Sequence, residues 1–204
     1  MQVGTAMMIS ISREDIQKFQ EKILTFYKHH SRNLPWRQTT DPYKILISEV
    51  MLQQTQVSRV MEYYPQWILR WPTVSDLADA VFAEVLHAWI GLGYNKRAMY
   101  LHQSARKIRD EFQGDVLAAV KQYDLLPGIG FYTSQAVQIF AENADIATVD
   151  TNIRRILIHE FHLPENISER ELRALAEKFD IECCWPEQDS FRQDLKDYCK
   201  HVST

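Results

Sequence analysis

The chain has 204 residues, 46% apolar and 25% charged, enough for one substantial core or two small lobes sharing a cleft. Six Gly, seven Pro and no low-complexity stretch exclude extended disorder, and no apolar run approaches the ~20 residues of a membrane-spanning helix. A formal net charge of -4 excludes a surface that is basic all round, although Lys96, Arg97, Arg106, Lys107 and Arg109 form one basic cluster and Arg154 with Arg155 a second.

Hydrophobic spacing predicts helix almost throughout. Ser12 with Asp15 resembles a capping pair, and Ile16, Phe19, Ile23 and Phe26 repeat at helical intervals, giving a first helix that ends near His30. Asn33 to Trp36 read as a connector. Pro42 suits a helix start, with Tyr43 to Thr55 continuing it, then Val57 to Leu69, broken by Pro72. Short helices are predicted over Val74 to Ala80 and Ala83 to Trp89, a tight turn at Gly91 and Gly93, and a long helix over Asn95 to Phe112, ended by Gly114. A helix from about Phe131 to Glu142 follows Leu125-Leu126-Pro127-Gly128-Ile129-Gly130. Asp150 suits the N-cap of a helix to Phe161, and two more are expected over Ser168 to Phe179 and Asp189 to His201. No β-alternation and no internal repeat is visible. The fold class is therefore all-α.

The amino terminus lacks a basic stretch followed by a long apolar one, so no signal peptide is expected. Cys183, Cys184 and Cys199 are an odd number, two of them adjacent, and read as reduced thiols of a cytoplasmic protein. His87, His102, His159 and His162 show no metal-ligand spacing.

Several residues are candidates for chemistry. The LPGIG segment lies between two helices, so its amides and a helix N-terminus can face one point, as an anion site or simply as a turn. Glu49 lies within the apolar ILISEVML. It is either a solvent-facing residue of an amphipathic helix or a buried acid, whose desolvation would raise its pKa. Asp150, twenty positions after Gly130, is either an ordinary cap or the charged partner of Glu49 in glycoside cleavage. Gln53, Gln54 and Gln56 are surface amides or groups reaching into a base stack, and Tyr94 on the GLGY turn is an exposed aromatic or a core residue.

The segments LPWR, DPYKILISEVMLQQTQV, WIGLGYNKRAMYLH, LPGIGFYT and VDTNIRR, in this order and at these spacings, resemble the MutY adenine glycosylases of the helix-hairpin-helix (HhH-GPD, endonuclease III) superfamily. The resemblance is strong over about Leu34 to Leu157. It implies two helical lobes with a DNA-binding cleft, a six-helix barrel over 35–143 carrying the hairpin, and a second lobe from 1–34 and 144–204. It implies a target base flipped from duplex DNA that contains a mismatch or lesion. Glu49 would protonate the purine, Asp150 would stabilise the sugar cation, Tyr132 would support it and Asn152 would orient the network. Gln54 and Tyr94 would wedge into the vacated stack. Trp36, Arg37 and Leu52 would line the base pocket, and backbone groups of Leu126, Pro127, Gly128, Ile129 and Gly130 would hold a phosphate, with a monovalent cation at nearby carbonyls.

Endonuclease III-like lyases place a lysine where this chain has Tyr132, so a monofunctional glycosylase is expected. The family's C-x6-C-x2-C-x5-C iron–sulfur motif is not matched: the place of its first cysteine corresponds to Ser203. No cluster is expected, and contacts of Trp185, Phe191 and Leu195 are expected to take its place. The family's 8-oxoguanine-recognition domain is also unmatched, and a pocket glutamate of the last helix appears as Gln193. The expected activity is excision of adenine opposite G or 8-oxoguanine by a monomer associated with the nucleoid. Alternatives are thymine or uracil excision at T:G or U:G, a modified-base substrate, a non-catalytic mismatch-binding protein, and a helical protein-interaction domain.

Overall fold

The computed structural model describes residues 11–30, 32–144, 146, 148–149 and 151–177. Among the described residues all regular structure is helical: α1 (Arg13–His30), α2 (Pro42–Leu52), α3 (Val57–Arg70), α4 (Val74–Asp79), α5 (Phe82–Trp89), α6 (Lys96–Phe112), α7 (Val116–Val120), α8 (Phe131–Glu142), α9 (Thr151–Glu160) and α10 (Glu169–Glu177). Single 3-10 turns lie at Pro35–Arg37 and Tyr123–Leu125. No helix among these residues is long and apolar enough to cross a membrane. The chain divides into two compact units, one spanning 33–146 and the other 1–32 with 147–204.

The 33–146 unit is built around α2. Asp41 starts this helix, its carboxylate accepting from the amides of Tyr43 (2.9 Å) and Lys44 (3.4 Å), with Pro42 supplying a preset backbone angle. Ile45 to Met51 are all buried, so α2 is buried nearly all round, and α3, α7 and α8 pack against it. Trp67 of α3 meets Trp71 and Trp89 edge-on at 4.7 and 5.4 Å, joining α3 to α5. The Tyr43 hydroxyl, pushed up well above its ordinary pKa by burial, donates to the Trp71 carbonyl at 2.8 Å. α4 begins with a full capping box between Thr73 and Asp76 and packs on α6.

Two differences from the sequence expectation have local causes. α2 ends at Leu52 rather than Thr55, because the Arg97 guanidinium takes the carbonyls of Val50, Met51 and Gln53 at 2.9, 3.1 and 2.6 Å. The one-turn helix α7 has too few residues for a readable period. It is started by Asp115, which accepts from the Ala118 amide at 2.9 Å, and buries Val116, Ala119 and Val120.

In the other unit, α1, α9 and α10 share a core of Phe19, Ile23, Ile153, Ile156, Leu157, Leu163, Ile167, Leu172 and Leu175. Phe19 meets Phe161 edge-on at 5.3 Å, and Lys22 pairs with Glu160 at 2.8 Å. The Ser12–Asp15 cap expected at α1 is present, with hydroxyl and carboxylate 2.5 Å apart and the Asp15 amide 3.1 Å from the Ser12 oxygen. The helix expected over 189–201, the three cysteines, Ser203, Trp185, Phe191 and Leu195 lie outside the described residues.

Candidate nucleic-acid interface and catalytic residues

The hairpin between the 3-10 turn and α8 is held from inside. Leu126 and Ile129 are buried, the Ile129 amide donates to the Leu126 carbonyl at 3.2 Å, and the Ser104 hydroxyl of α6 donates to the Pro127 carbonyl at 2.8 Å. Gly128 has φ +73°, and a Cβ there would stand 2.7 Å from the Cβ of Tyr100. Only glycine combines that angle with that approach. Gly130 is the N-cap of α8 and brings no side-chain cap. The first intrahelical bond runs from the Ser134 amide, so the amides of Phe131, Tyr132 and Thr133 are not used within the helix. An uncapped N-terminus beside exposed Gly128 and Gly130 is an arrangement that suits an anion.

Two further turns reach the same surface. After α2 the chain reverses through Gln53 and Gln54, and Gln54 is exposed with φ +52°. After α5 it reverses through Gly91 to Tyr94, and Tyr94 is 67% exposed with φ +49°. Gly91 has φ +104° and faces the Tyr63 hydroxyl, which donates to the Ile90 carbonyl at 2.9 Å. A Cβ at position 91 would lie 2.1 Å from that hydroxyl oxygen. Gln53, Gln54, Tyr94, Pro127, Gly128 and Ile129 line one open pocket of about 320 Å³, whose wall also includes Lys96, Arg97 and Tyr100. Three stretches at least 26 positions apart in sequence thus share one concavity. The Gln53 amide also reaches the Thr133 hydroxyl of α8 at 3.4 Å.

Glu49 is 7% exposed, which replaces the solvent-facing alternative with the buried one. Tyr132 is half-buried on the first turn of α8, which packs against α2. Asn152 is half-buried on the first turn of α9 in the other unit. Asp150 and Gln193 lie outside the described residues. Trp36 is buried in the core of the 33–146 unit, edge-on to Tyr64 at 5.4 Å, and its indole N–H finds no acceptor among the described residues. Arg37 and Leu52 are half-buried.

The basic cluster read from the sequence is not a cationic face. Arg97 points inward. Arg109 pairs with Asp79 and with Asp110, the latter at 2.7 Å, and Lys107 lies 3.7 Å from Glu111. Arg154 donates to the Glu165 carbonyl at 2.6 Å. Lys96 and Arg106 are exposed. Among the described residues no group of three or more His, Cys, Asp or Glu is placed to hold a metal. Sequence reasoning placed Arg97 with the surface cations and passed over Tyr100. The one available signal was that Arg97 lies three residues after the last residue of the GLGY turn, where a helix start would bring it back against the chain.

Residues 47–180 match the model of the HhH-GPD superfamily base excision DNA repair protein. The chain is 47% identical over 142 residues to an adenine DNA glycosylase of Mycolicibacterium smegmatis, covering 69% of this chain and 48% of that protein. It is 39% identical over 152 residues to an adenine DNA glycosylase of Homo sapiens, covering 70% and 28% respectively. The chain therefore spans less than half the length of these curated relatives. A thermostable thymine-DNA glycosylase superposes with a TM-score of 0.78 at 29% identity, covering 91% of this chain and 86% of that one. An endonuclease III in a non-covalent DNA complex superposes with a TM-score of 0.67 at 17% identity, covering 92% and 84%, a likeness of fold. With a buried acid on α2, a glycine hairpin before α8 and a family match across most of its helices, the chain belongs to the HhH-GPD superfamily of base excision DNA repair proteins.

Proposed function

We propose that this chain is a monofunctional DNA glycosylase that hydrolyses the N-glycosidic bond of a mispaired adenine, opposite G or 8-oxoguanine, in double-stranded DNA. The observation that carries the reading is the similarity to curated adenine DNA glycosylases over a segment that includes Glu49, buried on α2. In this reading Glu49 donates its proton to a ring nitrogen of the flipped adenine, and the C1′–N9 bond breaks as the base leaves neutral. The carboxylate of Asp150 stabilises the positive charge left on the sugar, with Tyr132 in support. Asn152 orients the water and the carboxylates. Water bonds to C1′, and its proton returns to Glu49. Tyr132 carries no amine, so no Schiff base forms and the product is an intact abasic site.

The DNA contacts follow from the pocket. Gln54 and Tyr94 enter the stack where the base has left, and the N-terminus of α8 takes a backbone phosphate, with Gly128 and Gly130 giving access. The carbonyls of Leu126 and Pro127 accept from Ile129 and Ser104 and each keep a second lone pair, a monovalent cation at carbonyls near the hairpin is part of the reading, and no step depends on one. Trp36, Arg37, Leu52 and Gln193 are proposed to border the base. The protein is proposed to act as a monomer in the cytoplasm, at the nucleoid.

A second reading keeps the fold and changes the base. The superposition with a thymine-DNA glycosylase over 91% of the chain favours thymine or uracil opposite G. Duplexes carrying A:8-oxoG, A:G, T:G, U:G and hypoxanthine:T separate these readings, incubated with the wild type and with Glu49→Gln and Asp150→Asn, then cut by alkali at abasic sites. Cleavage of the adenine strand, reduced by roughly 10²–10⁴ in Glu49→Gln, is the expected result. Cleavage only at T:G or U:G establishes the second reading. Binding without cleavage of any duplex points to a modified base or a non-catalytic mismatch binder.

A further inference from the structure

We propose that Arg97 is a positioning residue that presets Gln54 and Tyr94 together, one side chain holding both tips in the form that enters DNA. The inference rests on the reading of those two residues given under Proposed function. Its basis is geometric. One guanidinium nitrogen lies 2.9, 3.1 and 2.6 Å from the carbonyls of Val50, Met51 and Gln53. These are acceptors at the C-terminal end of α2, where a cation also meets the negative end of the helix dipole. The other nitrogen lies 3.0 Å from the Thr55 hydroxyl and 2.9 and 3.0 Å from the carbonyls of Leu92 and Gly93. The same group lies over the rings of Trp89 and Tyr94, at 5.2 and 5.7 Å from their centroids.

The two turns held in this way carry the strained residues. Gln54 and Tyr94 both sit in left-handed backbone, at φ +52° and +49°, which costs a non-glycine residue energy unless its surroundings impose it. Arg97 bonds the carbonyl immediately before Gln54 and the carbonyl immediately before Tyr94. The two tips are 40 residues apart in sequence and meet at one planar fork. A lysine presents its donors from one point and cannot span both turns in this way.

The test compares the full chain with Arg97→Lys and Arg97→Gln by three readouts. Amide hydrogen exchange over 50–55 and 91–95 is expected to accelerate at least about tenfold in both segments together, with α4 and α7 unchanged. Fluorescence of 2-aminopurine placed at the target position opposite G reports unstacking and is expected to fall. Single-turnover base release from A:8-oxoG is expected to slow roughly tenfold to a hundredfold, since displacement on the order of 1 Å has that effect. In a Gln54→Ala/Tyr94→Ala background, Arg97→Lys is expected to add less than about twofold, because the groups through which it acts are gone. A merely structural arginine would slow both backgrounds alike, and that result overturns the proposal. Exchange that stays at wild-type rates in both segments, or rises in one alone, overturns it too. Unstacking at the wild-type level by the Gln54→Ala/Tyr94→Ala protein instead overturns the wedge reading itself, and the inference falls with it.

Discussion

Replacing Gly128 with alanine tests whether the hairpin is as tightly constrained as its geometry indicates. At φ +73° an L-residue incurs roughly 1–2 kcal/mol of backbone strain. The new Cβ would also stand 2.7 Å from Tyr100 Cβ and 3.0 Å from its Cδ2, inside van der Waals contact. Overpacking of this kind costs about 1–3 kcal/mol. The sum, about 2–5 kcal/mol, corresponds to a fall in Tm of about 4–20 °C at roughly 2–4 °C per kcal/mol for a chain of this size. Gly130 is the internal control. Its φ of -92° and ψ of 174° are open to any residue, and a Cβ there meets nothing within 4 Å. Gly130→Ser should therefore lie within about 0.5 kcal/mol of wild type or gain up to about 1 kcal/mol from the hydroxyl cap. Urea unfolding followed by tryptophan fluorescence gives both values, and anisotropy titration of a labelled abasic-site duplex reports the hairpin itself. Tyr100→Ala should rescue Gly128→Ala only in part, because alanine removes Cδ2 but keeps the Cβ, the nearer atom. A Gly128→Ala protein within about 0.5 kcal/mol of wild type, or a Gly130→Ser protein equally damaged, would refute the reasoning.

Three other predictions rest on charge. His102 is buried beside Arg106 and Arg109, and burial holds its pKa below the ordinary value of about 6.5. Its neutral form thus contributes stability that is present above about pH 6.5 and lost as pH falls through the lower folded pKa, so Tm should drop on acidification and drop less in His102→Gln. Lys22→Ala, which breaks the pair with Glu160, should cost no more than about 1 kcal/mol, and the difference from wild type should shrink in 1 M salt, as guanidinium-free thermal melts at two salt concentrations would show. Duplex affinity should depend weakly on salt, with a log–log slope of about -2 to -4, because Arg97 faces inward and Lys107 and Arg109 have acidic partners. A slope steeper than about -6 would show that cations other than these carry the contact.

The helices were legible wherever an apolar stripe repeated over several turns, as in α1, α3 and α8, whose bounds lie within a residue or so of those read from periodicity. α7 was not legible, since five residues hold little more than one turn. The end of α2 was not legible for a different reason. It is set by a side chain 44 residues away from Gln53, and no local pattern records such a bond. Pro127, Gly128, Ile129, Gln54 and Tyr94 were singled out through motif resemblance, and the structure places these five around one pocket. The burial of Glu49 was readable only as one of two alternatives, because an amphipathic helix and a fully buried one can share the same short run of residues. The 96–109 cluster is basic in sequence without forming a cationic face, and the physical origin is simple. Linear charge says nothing about direction, and on α6 these residues point to different sides.

The contact between Tyr63 and Gly91 also constrains the order in which this surface could change over generations. The tyrosine oxygen stands where a side chain at position 91 would begin, and it simultaneously holds the Ile90 carbonyl. A lineage that acquired alanine at 91 first would pass through a collision, 2.1 Å from oxygen, in a backbone already at φ +104°. One that first exchanged Tyr63 for phenylalanine would remove the oxygen and lose the turn's brace, yet still leave the ring carbon 3.1 Å away. Neither single step is neutral, so a change at either position calls for a change at the other.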